Sequence, residues 1–311
     1  MSKTQNNLII ASFYRFIGIE EKSIKKKLLD SYLDKKKIRG TILLSNEGIN
    51  GSLAGETKEI LKNLKFLKNI IKIRKLHTKI NNIDFLPFNK MKVRLKKEIV
   101  SLGIGNINVN KLTGTFIHPS KWNEIVSDRE IKILDVRNPY EIRIGKFSNS
   151  LNPQTDNFRQ FPKQFKKMNI DKNEKIAMYC TGGIRCEKAS AYLKKEGYKK
   201  IYQLEGGILN YLDYSNKKKN INKWNGECFV FDNRVTVKKN LKKGSYDQCY
   251  GCRSPITKKE KKSKYFKKGV CCPHCYDTRS LIQKQNSKSR QKQIEQAEKN
   301  NLSHPFKRIY K

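Results

Sequence analysis

One run constrains this chain more than any other: Lys175-Ile176-Ala177-Met178-Tyr179-Cys180-Thr181-Gly182-Gly183-Ile184-Arg185-Cys186. A short apolar strand ends on a cysteine, a Gly-Gly loop follows, and a helix is predicted from Cys186 to Lys195. Short, continuously apolar strands alternating with helices belong in parallel sheets covered on both faces. Ligands on such sheets bind beyond the carboxyl ends of the strands. Cys180 therefore stands where chemistry is expected. The amides of Thr181 through Cys186 can turn inward as an anion nest, and Gly182 and Gly183 supply the backbone freedom for that curvature. Arg185 adds a permanent positive charge. A helix N-terminus and a nearby cation lower a thiol pKa and populate the nucleophilic thiolate. Four residues separate Cys180 from Arg185. Cysteine phosphatases need one more loop residue to seat a tetrahedral phosphate, so this loop suits a persulfide or a planar substrate. The plainer alternative, a core cysteine after a strand, fits the Gly-Gly-x-Arg context poorly.

The rest of the chain divides around that run. Residues 1–100 alternate strands and helices: strands at Leu8 to Phe16, Arg39 to Leu44, Ile49 to Ala54 and Lys90 to Val100, helices at Glu20 to Lys37 and Thr57 to Leu67. Ile24, Leu28, Leu29 and Leu33 mark the buried face of the first helix, and Ile60, Leu61, Leu64 and Leu67 that of the second. The order β-α-β-β-α-β is the split, ferredoxin-like pattern of an α+β domain. Residues 101–118, rich in Gly and Asn, read as a linker. Residues 119–222 read as a parallel α/β domain, with a helix at Trp122 to Val126, a strand at Ile131 to Val136, a helix at Asn157 to Met168, and a strand–helix pair from Ile201 to Tyr214. Asp135, Arg137 and Cys180 all lie at strand carboxyl ends. Residues 223–278 form a cysteine-bearing module, and residues 279–311 a solvated basic helix with a frayed terminus.

Composition bears on partners. Lys and Arg number 68 against 28 Asp and Glu, a net charge of +40. Such a field draws polyanions, nucleic acid foremost, although an A/T-rich coding sequence also accounts for abundant Lys, Asn and Ile. No stretch approaches the roughly 20 apolar residues of a membrane span, and no secretion signal is evident. A cytoplasmic protein without membrane attachment is expected. Its eight cysteines are then reduced, serving catalysis or metal rather than disulfides.

Four of them form two C-x2-C pairs, Cys249/Cys252 and Cys272/Cys275, 19 residues apart. That is the spacing of a four-thiolate zinc ribbon. Cys271 and His274 stand close enough to replace a neighbour; the expected ligands are Cys249, Cys252, Cys272 and Cys275. Lys258, Lys259, Lys261, Lys262, Lys267 and Lys268, beside Tyr265 and Phe266, offer cations for phosphate and rings for a base, or an ordinary solvated lysine face.

Asp135-Val136-Arg137 with Tyr140-Glu141, the run from Cys180 to Ala189, and Gln203-Leu204-Glu205-Gly206-Gly207-Ile208 resemble a rhodanese domain. Gly40-Thr41-Ile42-Leu43-Leu44, Glu47-Gly48-Ile49-Asn50-Gly51 and Gly226-Glu227-Cys228-Phe229-Val230-Phe231-Asp232 extend the resemblance to the rhodanese-related, oxygen-dependent tRNA uridine hydroxylases. These make 5-hydroxyuridine at the wobble position. The resemblance covers nearly the whole chain. It implies that tRNA is the partner and molecular oxygen the co-substrate. It matches Cys180 to the active-site cysteine, Arg185 with Thr181, Gly182, Gly183 and Ile184 to the supporting loop, and Asp135 and Arg137 to a strand-end pair facing that loop. Cys186 matches a second cysteine, either a helix-face residue or a resolving thiol. There is no flavin fingerprint, nor a haem or nicotinamide site, and His77, His118, His274 and His304 are scattered. The chemistry expected is attack of Cys180 on C6 of uracil, which enriches C5 for reaction with oxygen. A persulfide-carrying sulfurtransferase and a non-catalytic RNA adaptor are the alternatives.

Overall fold

The strand Leu8–Phe16 (β1) is buried along both faces, so it must lie inside a sheet with partners above and below. The computed structural model of the chain describes residues 7–33, 37–105, 107–219, 221–302 and 305. After β1 come α1 (Lys22–Tyr32), β2 (Ile38–Ser45), β3 (Gly48–Glu56), α2 (Thr57–Ile71), β4 (His77–Asn82) and β5 (Met91–Leu95). The sheet order is β4-β1-β3-β2-β5. Its first four strands reproduce the ferredoxin-like arrangement, but the closing strand is His77–Asn82, which the sequence reading passed over. Its residues, HTKINN, carry no apolar alternation; the strand exists because its backbone pairs antiparallel with β1. The segment expected as the fourth strand is shorter, Met91–Leu95, and is an added fifth strand parallel to β2.

The first helix also differs from expectation. Leu29 and Leu33 are buried, whereas Ile24 and Leu28 are 54% and 48% exposed. Residues 34–36, expected at its end, lie outside the described residues. Ile60, Leu64 and Leu67 of α2 are buried, and Leu61 is exposed. The period of two along β1 separates its contacts. Ile9, Ala11 and Phe13 join the core under α1 and α2, while Tyr14 and Phe16 turn the other way and pack against the second domain.

That domain contains α3 (Val109–Leu112), β6 (Thr115–Ile117), α4 (Pro119–Ser127), β7 (Ile131–Asp135), α5 (Pro139–Ile142), β8 (Gly145–Phe147), α6 (Phe161–Lys166), β9 (Lys175–Tyr179), α7 (Ile184–Lys195), β10 (Lys200–Leu204) and α8 (Gly207–Lys218). Strands β6-β10-β9-β7 form a parallel sheet. The segment 101–118 is thus no mere linker: it supplies an edge strand of this sheet, and Leu102 and Val109 are core residues. The predicted helix at Asn157 to Met168 is a 3-10 turn, Phe158–Gln160, leading into α6. Strand β9 is the centre. Ala177 and Tyr179 face a core with Trp122, Ile208 and Leu212, and Ile176 and Met178 face another with Phe161, Ala189 and Leu193.

Downstream come β11 (Trp224–Gly226), β12 (Cys228–Phe229), β13 (Thr236–Val237), β14 (Asp247–Gln248), β15 (Pro255–Ile256) and α9 (Leu281–Lys299). The front of the expected cysteine module belongs to the central core instead. Strand β11 pairs with β8, and Trp224, Cys228, Val230 and Val237 pack with Phe147 and Tyr179. Helix α9 is capped by Ser280, which accepts from Gln283 N–H. It is not solvated all round: Arg290 donates to the carbonyls of Tyr250 and Gly269, and Ser287 and Gln291 are buried. Residues 303, 304 and 306–311, including His304 and most of the terminus expected to fray, lie outside the described residues. Among the described residues no helix is long and apolar enough to cross a membrane.

Candidate active site

Strand β9 carries Cys180 to the sheet edge, where the chain turns through Thr181, Gly182 and Gly183 into α7. Two devices shape the turn. Gly183 has φ +96°, a region L-residues avoid. The first amides of α8 hold the outer side: Ile208 N–H donates to the Cys180 carbonyl at 2.9 Å and Leu209 N–H to that of Thr181 at 3.1 Å. Gly207 makes this approach possible, since a Cβ there would lie 2.5 Å from the Cys180 carbonyl oxygen.

With those carbonyls turned outward, N–H groups converge on the sulfur. Gly183 N–H donates to Cys180 Sγ at 3.1 Å. Cys180 is only 1% exposed, and burial by itself raises a thiol pKa. Here the Cys186 thiol, the Arg185 charge and the amides of Cys186 and Arg185 outweigh burial and bring Cys180 down to about 6. Cys186 is itself pushed well above an ordinary thiol, by burial and by Cys180. The interaction between the two thiols raises Cys186 and lowers Cys180.

Arg185 does not swing freely over the loop. Its Nη1 and Nη2 donate to Glu141 Oε2 and Oε1 at 2.8 and 2.7 Å. The same carboxylate accepts from Thr181 Oγ1 at 3.3 Å and from Asn138 N–H at 3.1 Å. Burial would raise the Glu141 pKa, but Arg185, Arg137 and the Asn138 amide hold it below the usual carboxylate range. The rhodanese resemblance includes Glu141 and gives it no role. Its signal was there: Asn138-Pro139 with a glutamate three residues after the asparagine is a helix-start pattern whose acid reaches back.

Asp135 and Arg137, at the end of β7, pair with each other. Arg137 grips Asp135 at 2.9 and 2.6 Å, both side chains fully buried. Its remaining described hydrogen bonds go to the carbonyls of Glu141 and Gly145, and its guanidinium lies over Trp224, 5.0 Å from the ring centroid. The pair staples the end of β7 to β8, and the Arg137 charge acts on Glu141 and Arg185 beside the loop.

The first domain closes the other side. Tyr14 donates to Glu187 Oε1 at 2.5 Å and stacks on His77, centroids 5.3 Å apart. Its hydroxyl stands over the loop, 2.9 Å from where a Cβ on Gly183 would lie. Burial raises the Glu187 pKa to about 7, against the lowering effect of the Tyr14 bond. One residue on, Lys188 is 1% exposed and donates to Glu47 at 2.7 Å, Glu98 at 2.5 Å and the Val100 carbonyl at 3.0 Å. Nothing in the sequence separated Tyr14, Glu187 or Lys188 from ordinary strand and helix residues.

The second candidate site is the cysteine cluster. The sulfurs of Cys249, Cys252, Cys272 and Cys275 lie within 4.8 Å of one another. Cys249–Cys275, Cys252–Cys272 and Cys272–Cys275 separations are 4.0, 3.8 and 3.9 Å. A tetrahedron with Zn–S bonds of ~2.3 Å has S···S edges of about 3.8 Å, so the donor set and its size fit zinc. Cys271 points instead toward the Tyr265 carbonyl, and His274 pairs with Glu260. Phe266 is partly buried against the cluster; Tyr265 is 41% exposed.

Comparison with known proteins adds family context. The UPF0176 acylphosphatase like domain profile matches residues 8–99, and the Rhodanese-like domain profile matches residues 119–213. A protein of Pelagibacter ubique, tRNA uridine(34) hydroxylase, is 44% identical over 303 residues, covering 97% of this chain and 99% of its own. Among solved structures, a rhodanese-related protein from Thermoplasma volcanium is 26% identical over 32% of this chain and 92% of its own, with a TM-score of 0.28. A rhodanese-like domain protein from Staphylococcus aureus is 26% identical over 31% and 90%, with a TM-score of 0.27.

Proposed function

The chain belongs to the tRNA uridine(34) hydroxylase family, and from that premise we propose that it hydroxylates C5 of the wobble uridine of tRNA, with molecular oxygen as co-substrate and Cys180 as nucleophile. The observation that carries the reading is the environment of the Cys180 sulfur. A buried thiol with an amide donor at 3.1 Å and a pKa of about 6 is a thiolate at neutral pH. A thiolate adds to the electron-poor C6 of uracil, forming an S–C6 bond and moving the C5–C6 π pair toward C5 and O4. C5 then takes one atom of O2, while the other leaves as water, consuming two electrons from an external donor and two protons. Loss of the C5 proton expels the thiolate and restores the double bond.

Arg185, pinned by Glu141, keeps its charge beside the sulfur without bonding to it, so the thiolate stays available. The net charge of +40 supplies the long-range attraction for a polyanionic substrate, and a tRNA substrate places the work in the cytoplasm. Cys249, Cys252, Cys272 and Cys275 hold a structural zinc, with all four positions filled by protein and none left for chemistry.

The test is nucleoside mass spectrometry of tRNA from a deletion strain carrying either the wild-type gene or Cys180→Ser, grown with and without oxygen. Wild type restores wobble 5-hydroxyuridine in air only, and the serine variant does not restore it. Full rescue by the serine variant would leave the protein an RNA adaptor. Loss of a thiolated nucleoside in its place would make it a sulfurtransferase.

A further inference from the structure

The turn after β12 presents an exposed ring at the active site. Phe231 is 64% exposed, while Phe229 and Val230 before it are buried. The Arg185 guanidinium lies 5.7 Å from the Phe231 ring centroid, so one guanidinium links this ring to the Cys180 loop. Phe229 packs edge-on against it with centroids 5.1 Å apart, and Tyr140 in turn packs edge-on against Phe229.

The backbone that holds this ring is fixed on every side. Asp232 and Arg234 form a two-pronged pair at 2.9 and 2.7 Å with both side chains nearly buried. Val230 N–H donates to the Val235 carbonyl, and Val235 N–H to that of Asp232, each at 2.9 Å. Asn233 reaches the first domain, donating its N–H to the Pro87 carbonyl at 2.9 Å and its side-chain amide to Asn89 at 3.1 Å. Val235 has φ +66°, an unfavourable conformation for a β-branched residue that persists only where its surroundings impose it. A stable fold does not need a large apolar ring held out in water by so many contacts.

The first-domain segment that Asn233 holds, at Pro87 and Asn89, runs directly into a row of cations. Beyond Asn89 come Lys90, Lys92 and Arg94. Burial first, then the charges of Arg94, Lys90 and Arg253, lowers the Lys92 pKa. Lys92 and Arg94 stand two residues apart on the edge strand β5, hence on one face, with Lys90 just before it, a row of like charges that an anion relieves. An exposed, rigid aromatic ring beside a cluster of cations is the equipment that single-stranded RNA needs: stacking for a base and charge for its phosphate.

We infer that Phe231 is a stacking platform for a base of the anticodon loop next to the uridine that enters the Cys180 loop, with Lys90, Lys92 and Arg94 holding the adjoining phosphates. This rests on the proposed tRNA function and adds to it the surface that splays the loop open. Base stacking on an aromatic side chain is worth about 1–3 kcal/mol, so its loss weakens substrate binding roughly ten-fold or more.

The experiment uses full-length Phe231→Ala, Phe231→Leu and Phe231→Tyr proteins and an unmodified tRNA. Turnover is measured as 5-hydroxyuridine formed, and binding by the fluorescence of 2-aminopurine placed in the anticodon loop, which stacking quenches. The Ala and Leu variants are expected to raise KM about ten-fold with kcat little changed and to lose the quenching, whereas Tyr keeps both near wild type. Unchanged KM and quenching in the Ala and Leu variants would overturn the inference. So would unchanged binding with a shifted Cys180 titration, since Phe231 would then act only through Arg185. If the wild type binds with Phe231-dependent quenching but forms no 5-hydroxyuridine, the hydroxylase reading fails and the platform stands.

Discussion

A buried thiolate is costly unless donors replace the water it has lost. Cys180 has them in the amides of Gly183, Arg185 and Cys186, the Cys186 thiol and the Arg185 charge. Cys186 is the least obvious of these donors, and its removal is informative. In wild type the Cys180 thiolate is expected to appear with a midpoint near pH 6, read as ultraviolet thiolate absorbance against Cys180→Ser. Cys186→Ala removes a donor to the charged form, so the midpoint moves up. A wild-type midpoint at the ordinary thiol value would remove the basis of the nucleophilic mechanism. The sequence made Cys180 and Arg185 legible because a Gly-Gly loop between a strand and a helix has few other uses. Glu141, which immobilises Arg185, lies 44 residues away in sequence, and no local pattern connects the two.

Helix α7 is the element on which the site turns. Its residues Arg185, Glu187, Lys188 and Ser190 are polar yet buried, against the rule that polar residues mark a helix's wet face. The reason is position: α7 lies between its own sheet and the back of the first domain's sheet, so most of its circumference is covered. Each buried polar group then needs a partner, and the partners come from far away in the chain. Lys188 meets Glu47 and Glu98, and Ser190 accepts from Gly114 N–H. Lys188→Met is expected to leave two crowded carboxylates facing apolar side chains and to cost about 2–3 kcal/mol in urea unfolding, somewhat below the range for a fully buried pair because both acids keep some contact with water. The loop loses its lid as Tyr14 drifts from Glu187, so hydroxylation falls as well. Unaltered stability with full activity would mean that the two domains are held together by other contacts. Strand β4 makes a related point. Its residues look like a loop, and only the open edge of β1 makes them a strand.

The whole molecule gathers three units around one loop. The first domain covers the loop through Tyr14, the central domain supplies Cys180, and the segment after β11 brings Phe231 to its edge. The cysteine cluster anchors the end of the described chain, because α9 docks onto the carbonyls of Tyr250, Gly251 and Gly269 through Arg279 and Arg290. Purified protein is expected to carry stoichiometric zinc by elemental analysis. Cys272→Ser, or a strong chelator, is expected to expose α9 to limited proteolysis while leaving the Cys180 titration in place; protein without metal and with α9 still protected would argue against a structural zinc. The sequence by itself singled out Cys180 and its loop, the four-cysteine set, the alternation of strands and helices and a strong excess of positive charge. Each of these is written in neighbouring residues or in summed charge. Only the tertiary structure decided that Glu141 restrains Arg185, that Arg137 ties Asp135 to the carbonyls of Glu141 and Gly145, that the segment 101–118 is part of a sheet, and that Tyr14 and Phe231 border the site. Those relations join residues distant along the chain. Burial enforces them, since a charge or polar group removed from water must find its partner wherever the fold places one.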